Sequence, residues 1–251
     1  MLKCKNILIK FGGLIAVNQM NLEVKRGTIH SLIGPNGAGK TTLFNAISRL
    51  IEVDDGQIEF DGISILEKKP YNLIRYGIAR TFQNLQLLPY QTVQENILAA
   101  IIYQWKGTIF DSMLGFHNKF MKDAEEKAYQ AAKLFGIQNR LGSVVGSLPY
   151  GIQKKVELAR TLIADPKILL LDEPAAGLNN EETAELDEIL LSIKNKGITI
   201  LLVEHDMNLV MRISDLVTVM NFGKFVASGK PEEISQNPEV IKAYLGSSYG
   251  T

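Results

Sequence analysis

Short apolar runs alternate along this chain with amphipathic stretches of helical period. Leu2 to Phe11, Leu22 to Val24 and Ile29 to Ile33 read as strands, with Arg26-Gly27 as a turn before the third. After a glycine-rich loop, Lys40 to Leu50 reads as a helix with Leu43, Phe44, Ile47 and Leu50 on one side. Asp54-Asp55-Gly56 and Asp61-Gly62 bracket a short strand, Gln57 to Phe60. Both turns suggest hairpins, hence an antiparallel patch beside the main sheet. From about Val93 to Ala164 the pattern turns helical, over Val93 to Tyr103, Phe120 to Phe135 and Ile152 to Ala164. Trp105 to Phe116, between the first two of these, fits no regular period.

Strand and helix then alternate again, as Ile168 to Leu171, Glu181 to Lys194, Ile198 to Val203 and Met207 to Ile213. Leu216 to Met220 and Lys224 to Ala227 are short strands meeting at Asn221-Phe222-Gly223, and Pro238 to Leu245 is a terminal helix. Continuous apolar strands between amphipathic helices predict an α/β fold with a mostly parallel core sheet covered on both faces.

Composition narrows this picture. The 251 residues are 46% hydrophobic and 22% charged, enough for one core with a subordinate lobe. Lys+Arg and Asp+Glu are both 27, so no basic excess points to a nucleic-acid partner, and none is expected. A single cysteine, Cys4, reads as a strand residue in a reducing compartment. The longest apolar runs, Ile97 to Tyr103 and Ile198 to Val203, fall short of the roughly 20 residues that span a bilayer. The expectation is a cytosolic chain that reaches a membrane only through a partner.

The chemistry begins at residues 34–41, Gly-Pro-Asn-Gly-Ala-Gly-Lys-Thr, a full match to the P-loop pattern between a strand and a helix. Glycines let the backbone wrap a phosphate with its N–H groups inward, and the positive end of the next helix adds to that field. Lys40 is placed to reach the outer phosphates, and the Thr41 hydroxyl to ligate Mg²⁺. A second site has to complete the metal shell. Ile168-Leu-Leu-Leu-Asp172-Glu173 delivers two carboxylates at a strand's C-terminal end, where ligands bind in open α/β sheets. Asp172 suits Mg²⁺ through water, and Glu173 suits the general base that polarises attacking water.

P-loops occur in many unrelated NTPases, so the remainder of the chain has to name the class. Leu148-Pro149-Tyr150-Gly151-Ile152-Gln153 stands before an amphipathic helix, upstream of the acidic strand, at the place of the ABC signature. There the sequence resembles the ABC ATPase family over nearly its whole length. Gln83, in Arg80-Thr-Phe-Gln, looks like the Q-loop glutamine that senses Mg²⁺ and the permease. His205 looks like the switch histidine on the γ-phosphate, Ala176-Gly-Leu-Asn179 occupies the D-loop position, and Phe11 before Gly12-Gly13 looks like the aromatic that stacks on adenine.

The resemblance implies a P-loop NTPase fold with a RecA-like core and antiparallel β lobe (about 1–83 and 165–236), an inserted helical subdomain (about 84–164) and a helical tail (about 237–251). It places ATP against Phe11 and against Gly34, Pro35, Asn36, Gly37, Ala38, Gly39, Lys40, Thr41 and Thr42. Leu148, Pro149, Tyr150 and Gly151 would contact the nucleotide of an opposite subunit, with Thr41, Gln83 and Asp172 at Mg²⁺ and Glu173, His205, Gln83 and Lys40 in hydrolysis.

Pro149 departs from the family's usual Leu-Ser-Gly-Gly-Gln by replacing the serine whose hydroxyl contacts the opposite nucleotide, although proline suits a helix's first turn. Asn179 stands where aspartate is common.

A monomer of such a protein lacks half its catalytic shell, so dimerisation on ATP is expected. Three functions compete: the energy subunit of an importer, an exporter ATPase of the lipopolysaccharide-extracting kind, and a soluble mechanical ATPase. The third usually carries long coiled coils or tandem cassettes, which this chain lacks. Phe11-Gly-Gly, the Tyr-Gly signature variant and the tail Asn237-Pro-Glu-Val-Ile-Lys-Ala-Tyr-Leu-Gly246 resemble importers of branched-chain amino acids. The implied partners are a second ATPase subunit, identical or paralogous, integral permease subunits at the inner face of the cell membrane, and a substrate-binding protein.

Overall fold

The computed structural model describes residues 1–81, 85–101 and 116–246. Among the described residues ten strands form two sheets: β1 (Leu2–Phe11), β2 (Leu14–Val24), β3 (Ile29–Ile33), β4 (Asp55–Phe60), β5 (Ile63–Ser64), β6 (Ile78–Arg80), β7 (Ile168–Asp172), β8 (Thr199–Val203), β9 (Leu216–Asn221) and β10 (Lys224–Gly229). The helices are α1 (Lys40–Ile47), α2 (Leu73–Tyr76), α3 (Val93–Leu98), α4 (Phe116–Leu134), α5 (Tyr150–Leu162), α6 (Asn180–Asn195), α7 (Met207–Ile213), α8 (Pro231–Ser235) and α9 (Pro238–Gly246).

The core sheet has order β10-β9-β3-β8-β7-β6, parallel throughout except for the antiparallel β9–β10 hairpin. Every residue of β3, β7 and β8 is buried, which explains their unbroken runs of apolar side chains. The faces are divided with period two. Leu169, Leu171, Ile200 and Leu202 join a cluster with Ala128 of α4, Val156 of α5 and Leu190 of α6. Ile168, Leu170, Leu201 and Val203 face α1 and the second sheet, β2-β1-β4-β5, which is antiparallel.

Several elements differ from expectation. β2 runs from Leu14, eight residues earlier than its apolar alternation suggests, because β1 and β2 slip register at bulges and Gln19 takes φ 50. Buried Val17 and Met20 are therefore three apart instead of two, which breaks the alternation. Helix α1 stops at Ile47 because Arg49 turns left-handed at φ 60, its N–H and that of Leu50 bonding back to Ala46 and Asn45 carbonyls. Leu50 is accordingly exposed and leaves the apolar face.

Asp61-Gly62 makes the expected hairpin, but Asp54-Asp55-Gly56 does not. It lies at the entry to β4, which pairs with β1 far back in sequence, and the Asp54 carboxylate accepts the Lys10 N–H at 2.7 Å. Short β6, α2 and α8 were not expected. Helix α3 ends at Leu98, and the end of its expected span at Tyr103, like most of the Trp105 to Phe116 stretch, lies outside the described residues.

Cys4 is buried in β1, and burial pushes its thiol up to about 12. No helix among the described residues is long and apolar enough to cross a membrane.

Candidate functional site

The loop 34–39 runs from the C-terminal end of β3 to the N-terminus of α1, as its spacing predicts. Gly39 caps the helix at φ 97, and a Cβ there would lie 2.5 Å from the Ala16 carbonyl oxygen. At Gly34 a Cβ would lie 2.1 Å from the Met220 carbonyl oxygen. Both positions therefore require glycine, wedged between β2 and β9.

Lys40 is buried, and its Nζ donates to the carbonyls of Gly34 at 2.7 Å and Pro35 at 3.0 Å. Burial lowers its pKa, while the charges of Glu173 and Asp172 oppose that shift.

A cleft of about 550 Å³ opens over this loop, lined by Asn36 to Thr42, Glu173 and His205 and by apolar Phe11, Leu14, Ile15, Ala16 and Phe222. Loop, acid, histidine and Phe11 thus meet in one place. Among the described residues, none of Leu148 to Gly151 lines it. Gln83 lies outside the described residues.

β7 carries Asp172 at its last position and hands on to Glu173, which takes φ 49. A left-handed glutamate at a strand end is a strained conformation of the kind concentrated at functional sites. The Glu173 N–H is tied to the Val203 carbonyl of β8, and its Oε1 lies 2.7 Å from His205 Nε2.

Asp172 is buried against Arg80, the last residue of β6, with Nη2 to Oδ2 at 2.9 Å. Burial raises its pKa and the guanidinium pulls it back. The same guanidinium donates to the Phe44 carbonyl and Ser48 Oγ of the α1 region and lies over the Phe44 ring. Thr41 and Asp172 offer oxygen donors, the set that Mg²⁺ takes with phosphate oxygens.

Sequence reasoning passed over three residues. Glu204, buried after β8, accepts the N–H groups of Ala175, His205 and Asp206, and so ties the turn after Glu173 to the turn bearing His205. A carboxylate ending an apolar strand beside His205 was the available signal. Arg80 was legible only as a neighbour of Gln83. Tyr244 of α9, whose hydroxyl is raised in pKa by burial and pulled back by the Gly34 backbone beside it, is revealed by no local pattern.

The signature turn lies at the start of α5, with Pro149 just before the first helical residue. Tyr150 is half exposed and packs against Gly177, and Gly151 is buried against the Glu182 carboxylate. Asn179 caps α6, its side chain accepting from the Glu181 and Glu182 N–H groups while Glu182 bonds back to the Asn179 N–H. Asparagine does this as well as aspartate would.

The ABC transporter family profile matches residues 17–176, and that of the branched-chain amino acid ATP-binding cassette transporter C-terminal region matches 226–250. The chain is 42% identical to the high-affinity branched-chain amino acid transport ATP-binding protein LivG of Escherichia coli K12, over 98% of each chain. It is also 42% identical to the corresponding protein BraF of Pseudomonas aeruginosa, over 98% of this chain and 97% of that one. Among solved structures, an ABC transporter cassette in its ADP conformation superposes with a TM-score of 0.85 at 32% identity, covering 98% of both chains. A nucleotide-free cassette gives 0.84 at 31%, covering 97% and 98%.

Proposed function

This chain belongs to the ABC transporter family of ATPases, and we propose that it is the nucleotide-binding subunit of an importer for branched-chain or other hydrophobic amino acids. The observation that carries the substrate class is the tail: the profile that matches 226–250 is that of the branched-chain amino acid ATP-binding cassette transporter, and it spans most of β10 with α8 and α9. Near-complete alignment with LivG and BraF supports the same reading.

In this proposal residues 34–42 hold the phosphates of ATP through backbone N–H groups, and Lys40 leaves its own loop to pair with the outer phosphates. Phe11 stacks on the base. Thr41, and Asp172 through water, would hold Mg²⁺, which would supply positive charge against the phosphate oxygens. Gln83 joins that shell by resemblance to the family.

Glu173 takes a proton from the attacking water, and His205, already hydrogen-bonded to it, fixes the carboxylate and contacts the γ-phosphate. A second subunit contributes Leu148 to Gly151, with Pro149 offering the helix N-terminus in place of a hydroxyl. The segment about 84–164 acts as a helical subdomain beside a core of 1–83 and 165–236. Permease subunits hold the pair at the inner face of the membrane, and a substrate-binding protein delivers the cargo.

The test is to isolate the complex from membranes, identify its subunits and assay ATP turnover after reconstitution with the binding protein. Turnover stimulated by leucine, isoleucine or valine is expected. A complex with no permease, or stimulation confined to unrelated solutes, would refute the assignment.

A further inference from the structure

Phe222 breaks two local preferences at once. It is the first of the two turn residues joining β9 to β10 and takes φ 46, a left-handed conformation that such turns normally give to asparagine, aspartate or glycine. Phe222 is 81% exposed, so the fold gains almost nothing from burying it. A bulky aromatic held in a strained turn without packing in return is the kind of local conflict that marks a functional position.

The turn is also held firmly in place. The Gly223 N–H donates to the Ala38 carbonyl of the phosphate loop at 2.9 Å, and its carbonyl accepts the Asn18 N–H of β2 at 2.8 Å. A Cβ on Gly223 would lie 2.7 Å from the Ala16 carbonyl oxygen, so strand and turn are in contact. The tip is fixed to the loop that would hold the phosphates, and Phe222 lines the same cleft as Phe11, Leu14 and Ile15.

We propose that Phe222 is a second aromatic contact for the purine of the bound nucleotide, sharing with Phe11 the apolar part of the cleft's lining. A purine has two faces and an apolar edge, and one half-exposed ring leaves much of that surface in water. Phe222 would cover a further part of it, and the ligand would supply the packing that the fold withholds from the ring. This inference rests on the reading of the cleft as an ATP site.

Calorimetry on the full chain separates the two ideas, with Mg-ATP and Mg-tripolyphosphate as ligands, the second having phosphates and no base. Phe222→Ala and Phe222→Asn are expected to weaken Mg-ATP about tenfold, which is about 1.4 kcal/mol, and to leave tripolyphosphate affinity unchanged. Phe222→Trp should retain ATP affinity. Phe222→Asn should also melt at a higher temperature than the parent, because asparagine suits the turn, so its weaker binding could not be blamed on misfolding.

Unchanged ATP affinity in Phe222→Ala would overturn the proposal. An equal loss of tripolyphosphate would do the same, since the turn would then merely shape the loop. A parent chain that binds neither ligand would refute the ATP site itself, and the proposal with it.

Discussion

Arg80 Nη2 lies 2.9 Å from Asp172 Oδ2, joining the edge strand β6 to the acidic end of β7 with both side chains buried. A guanidinium thus stands beside the carboxylate proposed to serve the metal. Arg80→Gln leaves that carboxylate buried without its counter-charge, and a loss of about 3–5 kcal/mol in denaturant unfolding is expected. Arg80→Gln combined with Asp172→Asn should recover much of it; a double variant as unstable as the single one would show that the contacts to Phe44 and Ser48 dominate.

The same pair sets a pH dependence. The folded Asp172 carboxyl titrates above its unfolded value because of burial, so it detracts from stability above its folded pKa, and the deficit vanishes as pH falls through that value. Arg80 opposes the upward shift. The penalty of Arg80→Gln should therefore be smaller at about pH 5 than at about pH 8, and an equal penalty at both would contradict this electrostatic account.

Lys40→Ala and Glu173→Gln should each lower ATP turnover at least about a hundredfold, as expected for loss of charge stabilisation or of a general base. Glu173→Gln should still bind Mg-ATP and sediment as a dimer in its presence. Full turnover in both variants, or a strictly monomeric Glu173→Gln at high concentration, would overturn the assigned roles.

Glu204 gathers three backbone N–H groups from the two turns that present Glu173 and His205. Glu204→Ala should reduce kcat about tenfold or more while changing KM little, because misplaced catalytic groups cost rate before they cost binding. Stopped turnover measured against ATP concentration distinguishes this from a binding defect, which would raise KM instead.

Cys4 offers a simple check on the core. With its thiol pushed up to about 12 by burial, it should be inert to disulfide reagents in the folded chain and react fully once unfolded. Rapid labelling of native protein would mean that the β1–β2 hairpin opens readily.

Much of this was legible in the sequence for identifiable reasons. The phosphate loop and the acidic strand are contiguous motifs whose flanking elements follow from unbroken apolar runs. Residues whose meaning is tertiary were not legible. Arg80 lies on a strand of three residues, too short to show a period. The start of β2 was hidden by the bulge at Gln19, and the left-handed Arg49, Glu173 and Phe222 have no signature of the glycine kind. Tyr244 meets Gly34 across more than two hundred residues of chain, where only the folded packing of α9 beneath β3 and α7 brings them together.

Lys40, bridging the carbonyls of its own loop, has a kinetic corollary. If residues 34–42 hold a triphosphate as proposed, Lys40 can exchange these carbonyls for phosphate oxygens by a side-chain rotamer change instead of a loop rearrangement. Encounter then proceeds near the rate set by diffusion and orientation. Nucleotides that differ in affinity should differ chiefly in how long they stay.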